Sequence, residues 1–406
     1  MPDGQNAPMT RGPAIALIDG DHHPAAVRAA LARIEEVRPL AAVVFCGGEE
    51  KLPAGSLEDV YGRAVHREPE RAIRDLAPGA ATVLDLADEP VLPVTPKLRL
   101  AALALHLGLE FESPGLRLAP PSYEQLSFDG PKLAVIGTGK RTGKTAVAGH
   151  WAGLLSAHGA DPVVVCMGRG GPAEPRVAEA GTGLDDLVEI VEGGAHGASD
   201  YLEDAVLAGV RTVGCYRVGG GLAGEPAESN VSAGAALAVS LGPGAIVFEG
   251  SGACVPPVEV DRTVCMAGPG VDEPFADYRL LRADLVLAPE GAKVEGFRFS
   301  LRPEPVEPIA PGSRAGLFTT GAESCEGVDP VIVSTNLARR RALGEDLARA
   351  AAEGCDVYLT ELKAAAIDTV VPHARNAGAR VVFLRNRPVG LDGDLDAELI
   401  GLWRDA

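Results

Sequence analysis

Aromatic residues are scarce in this sequence: Phe, Trp and Tyr together make up only 4% of it. A core must therefore be built mainly from Ala, Val and Leu, and at 46% hydrophobic residues there is enough apolar material for a sizeable one. Positive charge is also in short supply. Lys and Arg number 37 against 56 Asp and Glu, leaving a net charge of −19. Such a surface repels nucleic acid and anionic membranes over most of its area, so an anionic ligand needs a local basic pocket working against the overall field. No two of the seven Cys have Cys-x-x-Cys spacing, and most lie in or beside apolar runs, which points to buried reduced thiols. No apolar run approaches the ~18 residues of a membrane span. The first dozen residues lack a basic-then-apolar leader pattern. A cytoplasmic protein with no nucleic-acid or membrane partner is expected.

What is present is an alternation of β-branched apolar runs with Ala/Leu-rich helical stretches, the pattern of mainly parallel sheets flanked by helices. At 406 residues, two or three domains fit. Strands are expected at 14–18, 43–45 and 82–84, with helices at 24–36 and 96–107, giving a small N-terminal α/β domain over residues 1–127. Residues 118–130 (LAPPSYEQLSFDG) break both periods and read as a linker. A larger domain then runs over 128–406. Its strands are expected at 132, 163–165, 212–213, 245–248, 285–287, 331–333, 357–359 and 381–384. Residues 330–406 read as the far edge of the second sheet rather than a third domain.

The chemistry centres on residues 132–145, KLAVIGTGKRTGKT. An apolar strand enters a glycine-rich loop, and a helix with Val147, Trp151, Leu154 and Leu155 on one face leaves it. Gly137, Thr138, Gly139, Lys140, Arg141, Thr142, Gly143, Lys144 and Thr145 thus form a cradle for the phosphates of ATP. Backbone N–H groups and the positive helix end meet the phosphates, Lys144 reaches the β/γ oxygens, and Thr145 offers a hydroxyl to Mg²⁺. The spacing departs from G-x-x-x-x-G-K-[ST], since position 138 is Thr and the glycine stands at 137. Glu249 ends the apolar run 245–248, at the edge where parallel sheets bind ligands. A second metal-side carboxylate is expected, with Asp185, Asp186 and Glu174 as candidates.

Cations in glycine-rich turns are candidates for anion binding. Arg169 lies in VVVCMGRGGP directly after a strand, and Arg217 lies similarly in TVGCYRVGGG. Flanking glycines permit close approach, and an arginine fork suits phosphate. His196 precedes a helix whose cap is Ser199 or Asp200. Lys363, Arg385 and Arg387 follow expected strands. Asp19, Asp21, His22 and His23 crowd the end of the first strand; metal binding, contact with an anionic substrate and simple turn structure all remain open there.

The lengthened loop GTGKRTGKT resembles that of dethiobiotin synthetase and its relatives, and AIVFEGSGA at 245–253 resembles their Glu-Gly turn. That likeness implies that Glu249 serves Mg²⁺. A wider resemblance is to the cyclic 2,3-diphosphoglycerate synthetases. It is carried by LIDGDHHP (17–24), IGTGKRTGKTA (136–146), MGRGGP (167–172), HGASDYLEDA (196–205), CYRVGGGLAG (215–224), FEGSGA (248–253) and LTELKAAAIDTV (359–370). At Asp21 and His23 the chain departs from that family's opening motif, which has Glu and an aromatic residue. The resemblance implies conversion of 2,3-bisphosphoglycerate and ATP to the cyclic bisphosphate, ADP and phosphate. Lys144, Lys140 and Arg169 would then be catalytic, with His22, Arg169, His196, Arg217 and Lys363 on the substrate. A homodimer is expected. The competing readings are a kinase for 2-phosphoglycerate or a related acid, and a nucleotide-driven switch or metallochaperone.

Overall fold

In the computed structural model, which describes residues 12–406 except 195 and 269, the alternating pattern becomes two helix-flanked sheets. The stretch read above for a leader falls almost wholly outside the described residues. The chain divides into two compact units: residues up to Ser122 with Asp272–Arg282, and Tyr123–Val271 with Ala283–Ala406.

The first unit holds a five-stranded sheet in the order Leu40–Phe45, Ala14–Ile18, Thr82–Asp85, Glu110–Ser113, Leu116–Leu118. All neighbours are parallel except the last pair. The last two strands carry Glu110, Glu112 and Arg117, and this polarity hid them in the sequence. Within the unit, Arg38 is buried and donates to Glu112 Oε2 at 2.9 Å and Thr82 Oγ1 at 2.7 Å. A buried guanidinium is tolerable only when its donors are matched in this way. The helix Ala276–Leu281 also belongs here, with its Asp277 paired to Arg99 at 2.7 Å.

The second unit is built on a thirteen-stranded sheet. Six parallel strands run in the order Arg211–Val218, Pro162–Gly168, Ala245–Glu249, Lys132–Gly137, Arg262–Met266, Leu285–Pro289. The strand entering the phosphate loop is therefore central, with Ala245–Glu249 beside it. Beyond Leu285–Pro289 the sheet continues through Phe297–Pro305, Arg380–Gly390, Val357–Glu361, Ala315–Phe318 and Ile332–Ser334. Residues from 330 onward thus extend this same sheet. Arg385 and Arg387, expected beyond a strand ending at 384, lie inside the strand Arg380–Gly390. The reason is the antiparallel partner Phe297–Pro305, which the sequence hides because Arg302, Pro303, Glu304 and Pro305 break its apolar run.

The helix Lys144–Ala157 packs on this sheet through Val147, Ala148, Trp151, Ala152 and Leu155, all fully buried. Leu154 is only partly buried and lies at the rim of the cluster. Trp151 donates its indole N–H to Leu399 O at 2.9 Å, tying the C-terminal helix Leu395–Arg404 to the loop helix. One large aromatic thus supplies packing that the aliphatic core could not, and losing it would cost about 3–5 kcal/mol. Among the described residues, no helix is long and apolar enough to cross a membrane.

Candidate functional site

The strand Lys132–Gly137 is buried from Leu133 onward, so the loop that follows starts from a fixed point. Gly137 is required there. A Cβ would meet Thr142 Oγ1 at 2.8 Å and Met266 O at 3.1 Å, so the lengthened loop can fold back over its own strand only at a glycine. Thr138 is pinned to the next strand, its N–H donating to Met266 O at 3.1 Å and its hydroxyl accepting from Gly268 N at 3.1 Å. Gly143 then takes a left-handed φ of 90° and launches the helix. Lys144 is buried and donates to Gly139 O at 2.8 Å and Thr142 Oγ1 at 3.2 Å, so its ammonium lies inside the loop.

Across the sheet, Thr145 donates its hydroxyl to Glu249 Oε1 at 2.5 Å. Glu249 is buried, and its Oε2 has no hydrogen-bond partner among the described residues. Burial, then the nearby Asp200 charge, push its carboxyl up to about 8, against the pull of Thr145 and Lys144. Burial also lowers Lys144, opposed by Glu249 and reinforced by Arg169. An orphaned carboxylate oxygen beside a threonine hydroxyl and a lysine fits a divalent cation. After Glu249 the chain turns sharply at Gly250, where a Cβ would meet Cys254 O at 2.8 Å.

The helix Asp200–Leu207 brings further acids to Glu249. Asp204 is buried and accepts from the Cys166 thiol at 3.4 Å, and Cys166, Asp204 and Glu249 offer ligand atoms within 4.8 Å of one another. Burial and the Asp204 charge drive the Cys166 thiol well above its ordinary range, and burial and the Glu249 charge drive the Asp204 carboxyl up as well. Asp200 acts electrostatically on Glu249, Asp204, Lys144 and Lys363, which puts it in the same cluster. The sequence shows Asp200 only as a candidate helix cap, and Asp204 only as a residue four places further along. Their one signal is spacing: positions i and i+4 share a helix face.

Of the acids proposed from sequence as second metal partners, none sits in this cluster. Asp185 is exposed and pairs with Arg375 at 2.9 Å, Asp186 caps its own helix by accepting from Gly183 N at 2.7 Å, and Glu174 borders a separate cavity. Both aspartates begin the helix Leu184–Glu192, where they complement exposed N–H groups.

The cations fall into several places. Lys363 bonds Glu203 at 2.9 Å; burial works against its charge, but Glu203, Glu361 and Asp200 prevail and raise it. Arg217 reaches over the Glu249 turn, donating to Ser251 O at 3.0 Å and Gly219 O at 2.8 Å. A Cβ on Gly252 would touch both Arg217 and Lys140, so these two cations share the turn. Arg169 is exposed just past the strand Pro162–Gly168, and its guanidinium makes no hydrogen bond among the described residues. Beside it, Gly170, Gly171, Glu174, His196 and Tyr201 border a cavity of about 400 Å³. His196 accepts from Ala198 N at 3.2 Å.

His22 belongs to the first unit, where its Nδ1 lies 2.8 Å from Asp19 Oδ1. Burial would raise Asp19, but the Asp88 amide and His22 hold it below the usual carboxylate range. His23 caps the helix Pro24–Glu35, and Asp21 pairs with Lys51 at 2.7 Å.

Comparison with known proteins divides the chain in three, where the structure's compact units are two. Three family descriptions match: "Cyclic 2,3-diphosphoglycerate synthetase, N-terminal domain" over residues 13–119, its "P-loop domain" over 132–292 and its "C-terminal domain" over 310–387. The cyclic 2,3-diphosphoglycerate synthetase of Rubrobacter xylanophilus is 42% identical, covering 93% of this chain and 95% of its own. That of Thermococcus gammatolerans is 37% identical, covering 93% and 94%. A solved structure of LpxK from Aquifex aeolicus in complex with ATP aligns with a TM-score of 0.41 at 14% identity, covering 70% of this chain and 90% of its own. The chain belongs to the cyclic 2,3-diphosphoglycerate synthetase family.

Proposed function

We propose that this family member closes 2,3-bisphosphoglycerate into its cyclic phosphoanhydride, using ATP and releasing ADP and phosphate. The observation that carries the reading is the pairing of Thr145 with Glu249 beside Lys144, with the unpartnered Arg169 at the same sheet edge. The charge problem explains why both signs are needed. Two polyanions must meet inside a protein of net charge −19, and only fixed local cations can hold them in line.

The chemistry balances in two steps. An oxygen of one substrate phosphate attacks the γ-phosphorus of ATP, a new P–O bond forms, and the bond to the β-phosphate breaks to release ADP. An oxygen of the second substrate phosphate then attacks the phosphorus so activated. The anhydride ring closes as inorganic phosphate leaves. In this reading Lys144 neutralises charge on the β/γ oxygens, Lys140 and Arg217 flank the acceptor over the Glu249 turn, and Arg169 grips one of its phosphates. His196 and Lys363 contribute further contacts, and His22 contributes from the N-terminal domain, residues 1–127. The catalytic domain is 128–406.

Thr145 and Glu249 would hold Mg²⁺, with Asp200 completing the set; when bound, the ion supplies charge neutralisation for the phosphoryl oxygens. Glu249 and Asp200 must be ionised for that role, so the neighbouring Lys144 and Lys363 also serve to offset their repulsion. We take the enzyme to be a cytoplasmic homodimer, which light scattering tests. Activity is tested by incubating the protein with ATP and 2,3-bisphosphoglycerate and following products by phosphorus NMR. The expected result is a new anhydride signal in step with ADP and phosphate. A phosphorylated open-chain product would make the protein a kinase, and ATP hydrolysis without change in the acid would make it a switch.

A further inference from the structure

The outer face of the helix Lys144–Ala157 borders a second cavity, of about 310 Å³. It begins at Thr145 and Ala146, the first turn after the phosphate loop, and runs along the helix past Gly149 and Gly153. Its far wall is the stretch Arg385–Pro388, and its floor includes Leu154 and Leu207. We infer that this cavity receives the adenosine half of ATP, with Asn386 reading the base. The inference rests on the reading of the loop as the ATP site and adds where the nucleoside lies and what selects it.

Three observations converge. A phosphate chain gripped by the amides at the start of a helix must leave its nucleoside against a surface bordering that first turn. This cavity borders it at Thr145 and Ala146. Its size falls at the low end of the range of about 300–1,000 Å³ for small-ligand pockets, and its apolar walls are relieved by a few polar groups.

The second observation is Gly153. The helix carries two glycines, and at Gly149 a Cβ would meet Asp204 Oδ1 at 2.7 Å. At Gly153 a Cβ would meet nothing within 4 Å. Gly153 therefore leaves open space on the helix surface, and that space belongs to the cavity.

The third is the far wall. Arg385 and Arg387 donate to Glu304 at 2.7 and 2.8 Å, which fixes their planar groups. Between them Asn386 is only partly exposed, and its side-chain amide has no hydrogen-bond partner among the described residues. A carboxamide offers one donor edge and one acceptor edge, the match for N7 and N6 of adenine. Guanine presents two acceptors on that edge and cannot satisfy it. Pro388, two residues on and so on the same strand face as Asn386, adds a surface against which a purine can lie.

The test is calorimetric binding of ATP, GTP and inorganic triphosphate to the parent and to Gly153→Leu and Asn386→Ala. Leucine at 153 fills the cavity while favouring the helix, so the fold should hold. Expected is a tenfold or greater loss of ATP affinity in Gly153→Leu, with triphosphate affinity within twofold of the parent. Asn386→Ala should lose most of the preference for ATP over GTP. A folded Gly153→Leu protein that binds ATP as tightly as the parent overturns the placement. If that variant does not fold, Asn386→Ala decides instead: unchanged ATP affinity and unchanged base preference overturn it. A Lys144→Ala control separates the two levels, because triphosphate binding that survives this change would refute the loop reading itself.

Discussion

Thr145 and Glu249, 104 positions apart in sequence, meet in a 2.5 Å hydrogen bond between hydroxyl and carboxylate. The contact exists because the strands Lys132–Gly137 and Ala245–Glu249 are parallel neighbours, so both chains leave the sheet at the same edge. Glu249 is aligned with Val135, two residues short of the loop, and the helix start then folds back over it. This puts the carboxylate proposed to hold Mg²⁺ against the first turn of the helix that follows the glycine-rich loop.

Lys144→Ala should fold normally and lose turnover by on the order of 10²-fold or more, since charge stabilisation of the transferring phosphoryl group would go with the ammonium. Steady-state rates with a circular dichroism control check this. Near-parent activity would remove Lys144 from the mechanism.

Glu249 governs a proton. Its carboxyl sits at about 8 against an ordinary 4.5, so between those values the folded protein holds a proton that the unfolded chain has released. Stability without metal should therefore be highest below about pH 4.5 on this group's account and fall as pH rises towards 8, by a few kcal/mol at most. Glu249→Gln should flatten that slope. In the parent, binding Mg²⁺ with ATP near neutral pH should release about one proton, read by calorimetry in buffers of different ionisation enthalpy. An equal release from the Gln variant would mean that the proton belongs to another group.

Arg169→Lys keeps a charge and removes a two-pronged fork. Because the guanidinium is exposed and unpaired in the protein, its replacement should leave stability within about 0.5 kcal/mol. ATP binding should persist while acceptor turnover drops at least tenfold. Kinetics with each substrate varied in turn check this; an unchanged KM and kcat for the acceptor would move the acceptor site elsewhere.

Arg38→Ala should destabilise the N-terminal unit by about 2 kcal/mol, because it removes the 2.9 Å charged hydrogen bond to the buried Glu112, which keeps Arg117 at 3.6 Å. The readout is urea unfolding of the full chain, with Arg38→Met/Glu112→Leu as the control. The double variant should recover most of the loss. If Arg38→Ala unfolds at the parent's midpoint, the pair is energetically idle.

The sequence by itself determined the local machinery. The loop at 137–145 was legible because an apolar strand, three glycines and an amphipathic helix occur in a contiguous order, and because Lys144 and Thr145 work beside their chain neighbours. Glu249 was legible for a similar reason, as the polar end of an apolar run. What remained was decided only by the tertiary structure. Asp200 looks like an ordinary helix-start residue and Asp204 like a mid-helix one until the helix docks beside Glu249, whereas Asp185 and Asp186, equally plausible in sequence, begin a helix elsewhere. The strand Phe297–Pro305 was hidden because it is held by pairing with Arg380–Gly390 and not by an apolar pattern. That pairing carries Arg385, Asn386 and Arg387 to the outer face of the loop helix. A covalent neighbour can be read from spacing. A neighbour across a sheet depends on strand order and on which buried surfaces find each other, and no local pattern encodes that.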